Sequence, residues 1–268
     1  MNVRKSLLIT VCGFGLLLAS CGGFEKVRRS KDVNYRLAMA YKYFDKKEYL
    51  HANELFKDLM PVMKGTKNFE AMLYKFAYSY YNLRDWNNAS YYFKFFTEVF
   101  PNSVHTEEAS FLHAYSIYRM SPKVTVMQTN TEKALEVMQK FINDHPDSKS
   151  VDLAKGYIVE MQDKLEEKAA LAAKLYYDIS QYRAATVVYR NVQNDFPASK
   201  RMDEYQFMIV KAHYKFAKES IKDKQEERYV NVINAYQEMV DNWPNSKYIK
   251  DAEKYFTLAS INLKKIKK

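Results

Sequence analysis

Five histidines are the side chains of neutral-pH base strength in this 268-residue chain, and acid–base catalysis or metal ligation would begin with them. His105 and His113 stand eight apart, a spacing that can share a helix face. Neither has a glutamate in an H-E-x-x-H spacing, and no cysteine completes a zinc set. No G-x-S-x-G elbow, Walker loop or dinucleotide fingerprint occurs, and six glycines are too few to cradle a phosphate. The carboxylates are scattered at spacings that i,i+4 pairing on exposed helix faces explains. The sequence therefore predicts no catalytic residue, no metal site and no cofactor. The 23 tyrosines and 16 phenylalanines read as packing between helices rather than as a cofactor box.

The two cysteines carry a different chemistry. Arg4 and Lys5 precede an apolar run from Leu7 to Ala19, too short to span a bilayer but right for a secretory signal. That run ends in Leu18-Ala19-Ser20-Cys21-Gly22, which resembles the lipobox of bacterial lipoproteins, where a thiol immediately after a small residue carries a diacylglycerol. Cys21 is thus expected to be lipidated and to become the first residue of the mature chain. Cys12 leaves with the signal, so neither a free thiol nor a disulfide remains. Residues 1–20 read as the signal and 21–31 as a lipidated tether. Loss of Arg4 and Lys5 takes the formal net charge from +10 to +8. The excess is spread over many helices and thickens only at Lys264, Lys265, Lys267 and Lys268, which fits solvated faces near an anionic envelope surface. An exported, anchored chain meets no nucleic acid.

What must position any site is helical. Six glycines and six prolines are few turn residues for this length, and Ala, Leu, Lys, Glu, Met and the aromatics suit long helices. From Glu70 to Pro101 a grid is complete: Leu73, Phe76, Ala77 and Tyr80 on one helix, then Trp86, Ala89 and Phe93 on the next. Ala77 and Ala89 let two antiparallel helices approach, Asp85 is placed to cap the second, and Pro101 stops it. This is a hairpin of about 34 residues, the pattern of a tetratricopeptide repeat. Arg36, Met39, Ala40 and Tyr43, then Tyr49, Ala52 and Phe56, repeat it, with the extra residues assigned to a loop over Pro61–Asn68.

A third unit pairs Phe111, Leu112, Ala114 and Tyr118 with Ala134, Met138 and Phe141 across an insertion after Ser121-Pro122. Thr129-x-x-Glu132 offers a capping box for its second helix, and the insertion is a contact candidate. A connecting helix over 148–165 leads to a fourth unit marked by Ala169, Ala172, Ala173, Tyr176, Tyr182, Ala185 and Tyr189. The fifth has a first helix over Arg201–Glu219, a charged turn over Asp223–Glu227 and a second helix to Trp243. Four units end alike, in Phe100-Pro101-Asn102-Ser103, His145-Pro146-Asp147-Ser148, Phe196-Pro197-Ala198-Ser199 and Trp243-Pro244-Asn245-Ser246, where proline stops one helix and serine can cap the next. The expected fold is all-α: a right-handed superhelix of five tetratricopeptide-like hairpins (about 32–64, 67–101, 104–146, 163–197 and 200–244) within a domain over 32–268, capped by a last helix over Tyr248–Ile266. First helices line the concave side of such a stack, so Tyr41, Phe44, Tyr74, Tyr78 and Tyr81 are the candidate peptide groove.

The lipobox at Cys21, the short tether, the interrupted third repeat ending in Phe141-Ile142-x-x-His145-Pro146-x-Ser148 and the fourth repeat through Pro197 together resemble the BamD family of outer-membrane assembly lipoproteins. The resemblance covers the whole mature chain. It implies a non-enzymatic scaffold, lipid-anchored on the periplasmic face of the outer membrane, that docks on the periplasmic domains of a BamA-type insertase and receives unfolded outer-membrane proteins. It also implies docking through the C-terminal repeats, for which Arg183, Arg190, Glu226 and Arg228 are the candidates. Where the family carries an arginine nine residues before the fourth-repeat proline, this chain has Val188. The alternative is another envelope repeat lipoprotein, coordinating cell-wall synthesis or Tol–Pal function.

Overall fold

A small residue facing a small residue, flanked by large ones, sets how near two helices can come, and that rule builds each hairpin here. The computed structural model describes residues 23–267, so the signal and Cys21 lie outside the described residues. Within them the helices are α1 (Val33–Asp45), α2 (Tyr49–Met63), α3 (Phe69–Asn82), α4 (Trp86–Val99), α5 (Thr106–Arg119), α6 (Thr129–Asp144), α7 (Val151–Asp178), α8 (Tyr182–Asp195), α9 (Met202–Lys218), α10 (Lys222–Asn242) and α11 (Ile249–Ile266). No strand occurs among the described residues, and the chain is all-α. In the α3–α4 hairpin Leu73, Phe76, Ala77, Ala89 and Phe93 are wholly buried. Asp85 caps α4 by accepting from the Asn88 amide at 3.2 Å. Arg84 takes a left-handed φ of 59°, as Lys47 does at 63° and Ser180 at 62°. The same pair of turn hydrogen bonds recurs at all three, for instance Arg84 N–H to Tyr81 O and Asp85 N–H to Tyr80 O.

Two compact units divide the chain. The first comprises residues up to Lys123 with Met127–Met161; the second comprises Val124–Val126 with the residues from Gln162 onward. The core of the first is built on Phe56, Phe76, Phe93, Phe96 and Phe141, all 0–1 % exposed. Each such burial removes about 2–3 kcal/mol worth of apolar surface from water. The second core centres on Tyr189, Tyr205, Ile209, Val210, Val232 and Met239, with alanines where helices meet.

Several boundaries differ from the sequence expectation. The stretch read as a polar tether is helical over residues 23–28, with Phe24 and Val27 buried in the first core. Two apolar residues three apart are enough for one helical turn to dock. α2 runs through Pro61 to Met63 instead of ending in a loop. Proline lies so near the C-terminus that little helix is left to disrupt, and burial of Leu59 and Met63 holds the last turn. Thr129 is the first residue of α6 rather than its cap; Gln128 precedes it and accepts from the Thr131 hydroxyl at 2.7 Å. The connecting helix and the first helix of the fourth repeat are one, α7. Of the residues expected to mark the fourth unit on α7, Ala173 is buried with its neighbour Ala170, while Ala172 and Tyr176 are exposed. A run in which nearly every residue is apolar does not reveal its own phase. The charged stretch Asp223–Glu227 belongs to the start of α10, because Lys, Gln and Glu propagate helix; the turn is Ser220-Ile221.

The four Pro-x-Ser endings are alike in detail. Each serine Oγ accepts an amide two residues on: His105 at 3.2 Å, Ser150 at 3.2 Å, Arg201 at 2.9 Å and Tyr248 at 3.1 Å. The serine thus shapes the turn and the next helix starts three residues later. Three of these hydroxyls also donate to a carboxylate, Ser148 to Glu107 at 2.5 Å, Ser199 to Glu166 at 2.6 Å and Ser246 to Asp203 at 2.6 Å.

Candidate functional site

One turn of α3 carries Tyr74 and Tyr78 on the same face, and this pair forms the wall of a cavity of ≈ 400 Å³ in the first unit. Phe44 from α1, Ala71 and Lys75 from α3 and His105 ahead of α5 complete the lining. Ala71 is what leaves the space open. The Tyr74 ring stacks on His105 at 4.2 Å and leans on Phe96 and Tyr78 at 5.4 and 5.1 Å. Both hydroxyls donate to Glu108, from Tyr74 to Oε2 at 2.5 Å and from Tyr78 to Oε1. Burial first, and the Glu108 carboxylate next, push both phenols well above their ordinary range, so they stay neutral donors at neutral pH. Lys75 lies 4.4 Å over the Phe44 ring and 3.2 Å from Asp45. An aromatic wall with one cation at its edge suits an apolar or aromatic side chain carrying a nearby carboxylate.

Three of the five expected groove aromatics, Phe44, Tyr74 and Tyr78, therefore line one cavity. Tyr41 packs on Phe56 at 5.7 Å, and Tyr81 fits edge-on against Trp86 and near Tyr115, so these two serve the core. Sequence reasoning missed Lys75, His105 and Glu108. Glu108 follows Tyr74 by 34 residues, one repeat length, which is the signal that adjacent first helices present these side chains to each other. His105 and His113 do not come together as a ligand pair: His105 stacks on Tyr74, and His113 Nδ1 lies 2.9 Å from the Ser90 carbonyl. Among the described residues no group of three His, Cys, Asp or Glu side chains could hold a metal ion, and no helix is long and apolar enough to cross a membrane.

The family model described as YfiO, outer membrane lipoprotein, matches residues 30–228, well over half of the chain. The chain belongs to the YfiO family of outer membrane lipoproteins. This is the BamD-type family that the sequence resembles. No curated protein matches the sequence. Among solved structures, the TPR2AB domain of yeast Sti1 in its pHSP90 complex is similar at 13 % identity, with 85 % of this chain and 98 % of that one covered and a TM-score of 0.38. A Podospora anserina kinesin light chain with nearly identical TPR-like repeats is similar at 10 % identity, covering 78 % and 97 %, with a TM-score of 0.33. Both are repeat proteins of the helical-hairpin kind.

In the second unit of this YfiO-family chain the four docking candidates do not form one patch of available charge. Arg183 is exposed on α8. Arg190 is held in a two-pronged pair with Glu238, Nη1 to Oε1 at 2.6 Å and Nη2 to Oε2 at 2.8 Å, and also donates to Gln193. Glu226 lies 3.4 Å from Lys267. Arg228 lies 4.0 Å over the Phe216 ring and donates to the Ser220 hydroxyl. Beside the Arg190–Glu238 pair is His213, which burial, and then the Arg190 charge, depress to about 4. A group whose folded pKa is depressed contributes stability that is whole above its ordinary value near 6.5 and is lost as pH falls through the folded value. Acidification from about 6.5 to 4 is therefore expected to remove up to about 3 kcal/mol from the second unit. Glu238, held below the usual carboxylate range first by its hydrogen bond from Arg190, adds its loss at lower pH. Thermal melts across this window should lose the first slope in His213→Gln and keep the second; an unchanged profile would exclude His213 as the cause.

Proposed function

We propose that this outer membrane lipoprotein is a non-enzymatic scaffold of the β-barrel assembly machinery. It is held by lipid on Cys21 at the periplasmic face of the outer membrane. The cavity of Phe44, Tyr74 and Tyr78 receives segments of unfolded outer-membrane proteins, and the second unit docks on the periplasmic domains of a BamA-type insertase. The observation that carries this reading is the family match over residues 30–228. The cavity supports substrate receipt, because an extended barrel strand offers alternate apolar side chains and the groove offers aromatic faces with Lys75 at the edge.

Arg183 is exposed on α8, whereas Arg190, Glu226 and Arg228 are each engaged within the second unit, so docking is expected to depend on Arg183 most. Co-purification from detergent-solubilised membranes tests the whole reading. The barrel insertase is expected in the eluate, with less of it for Arg183→Glu. Recovery of cell-wall synthesis or Tol–Pal proteins in place of the insertase would replace this function with the alternative one.

A further inference from the structure

The helical turn over residues 23–28 is fastened to the first hairpin from both ends. Phe24 is 7 % exposed and stacks on His51 at 4.3 Å, with its edge toward Tyr43 at 5.8 Å. Val27 is 4 % exposed. Arg28 then reaches further along α2, to Asp58 at 3.0 Å and Glu54 at 3.8 Å. The turn therefore runs alongside α2 in the same direction, and its start lies at the end of the hairpin where α1 turns into α2. From Cys21 to Gly23 there are only two peptide links, which span about 7 Å at most. A lipid on Cys21 would be bound to the body of the first unit with almost no slack.

We infer that this end of the first unit is a membrane seat: the α1–α2 and α3–α4 turns rest on the headgroups of an anionic phospholipid surface. The inference rests on the lipid anchor proposed above and adds an orientation to it. Antiparallel hairpins stacked in sequence bring these two turns to the same end. Lys46, Lys47 and Arg84 are exposed there, beside Leu50 and Leu83, which are 59 % and 38 % exposed. The carboxylates at this end are already engaged: Asp45 with Lys75 at 3.2 Å, Glu48 with His51 at 3.3 Å and Asp85 with the Asn88 amide. These two turns thus expose three cations, Lys46, Lys47 and Arg84, and two aliphatic side chains, Leu50 and Leu83, alongside the engaged carboxylates. That chemistry matches phosphate headgroups above acyl chains, and each lysine near such a surface adds to the attraction.

The test uses the full lipidated protein in vesicles of phosphatidylethanolamine and phosphatidylglycerol. With Cys12 removed and Cys21 acylated, Leu50→Cys supplies the single reactive thiol for an environment-sensitive fluorophore. Lys140→Cys, an exposed position near the far end of its hairpin, supplies the reference. The label at 50 is expected to be quenched by doxyl lipid and shielded from aqueous iodide, and the label at 140 to show the reverse. Lys46→Glu with Lys47→Glu should return the label at 50 to iodide while circular dichroism is unchanged. Equal iodide access at both positions, or shielding at both, in acylated vesicle-bound protein would overturn the seat and leave the anchor standing. A mature mass without acyl chains would overturn the anchor and the seat together.

Discussion

Tyr74→Ala combined with Tyr78→Ala is expected to weaken binding of a barrel-protein C-terminal peptide by at least about tenfold, as loss of two aromatic anchors from one pocket does. The structure adds a second expected effect. Both rings are half-buried against Phe93, Phe96 and His105, and both hydroxyls tie α3 to Glu108 on α5. Truncation should therefore also cost the first unit about 2–4 kcal/mol. Tyr74→Phe with Tyr78→Phe separates the two effects, because it keeps the aromatic wall and removes only the bonds to Glu108. The double Phe variant should bind peptide nearly as well as the parent and lose about 1–2 kcal/mol of stability. Fluorescence titration and urea denaturation read the two quantities independently. An Ala variant that stays folded and binds undiminished would move the peptide site elsewhere.

The second large effect is expected at Glu166, whose side chain does no recognised chemistry. It is 9 % exposed and accepts the hydroxyls of Ser199 and Tyr205, each at 2.6 Å. Tyr205 is itself 1 % exposed and is among the largest fully buried side chains. Glu166→Ala would remove the acceptor of two donors, the Tyr205 hydroxyl buried and the Ser199 hydroxyl part-buried, at about 1–3 kcal/mol each. The second unit should lose roughly 2–5 kcal/mol, visible as a shifted denaturation midpoint. Glu166→Gln keeps an acceptor oxygen and should lose much less. If the Ala variant costs no more than a typical surface change, within about 0.5 kcal/mol, the serine–carboxylate contact has no structural weight. The same contact joins Ser148 to Glu107 and Ser246 to Asp203, with the acid in the first turn of a helix, where a negative charge is favoured.

The hairpins were legible in the sequence because their signals are local. Ala77 facing Ala89, Asp85 at a cap and Pro101 at a stop are each decided within a few residues. Features that depend on a partner a repeat away were not. Glu108 answers Tyr74 across 34 residues, and Glu166 answers Tyr205 across 39, spacings that no single helix period reveals. Polarity misled at two places for the same reason. Residues 23–28 carry only two large apolar side chains, yet both are buried, and Asp223–Glu227 is charged at every position but Gln225, yet helical. Arg190 looked like a free docking charge because its partner Glu238 lies 48 residues on, in another helix.

The three left-handed turn residues bear on how this protein would respond to engineering for heat tolerance. Lys47, Arg84 and Ser180 hold a backbone conformation that glycine adopts without steric cost and other residues at about 1 kcal/mol. Ser180→Gly would relax that strain for the loss of one exposed hydroxyl contact, to Tyr182 at 3.1 Å. Glycine at Lys47 or Arg84 would relax it equally but take a cation from the same end of the first unit. A heat-tolerant version is therefore best begun at Ser180, with the two basic turns left alone until their charge has been shown to be dispensable.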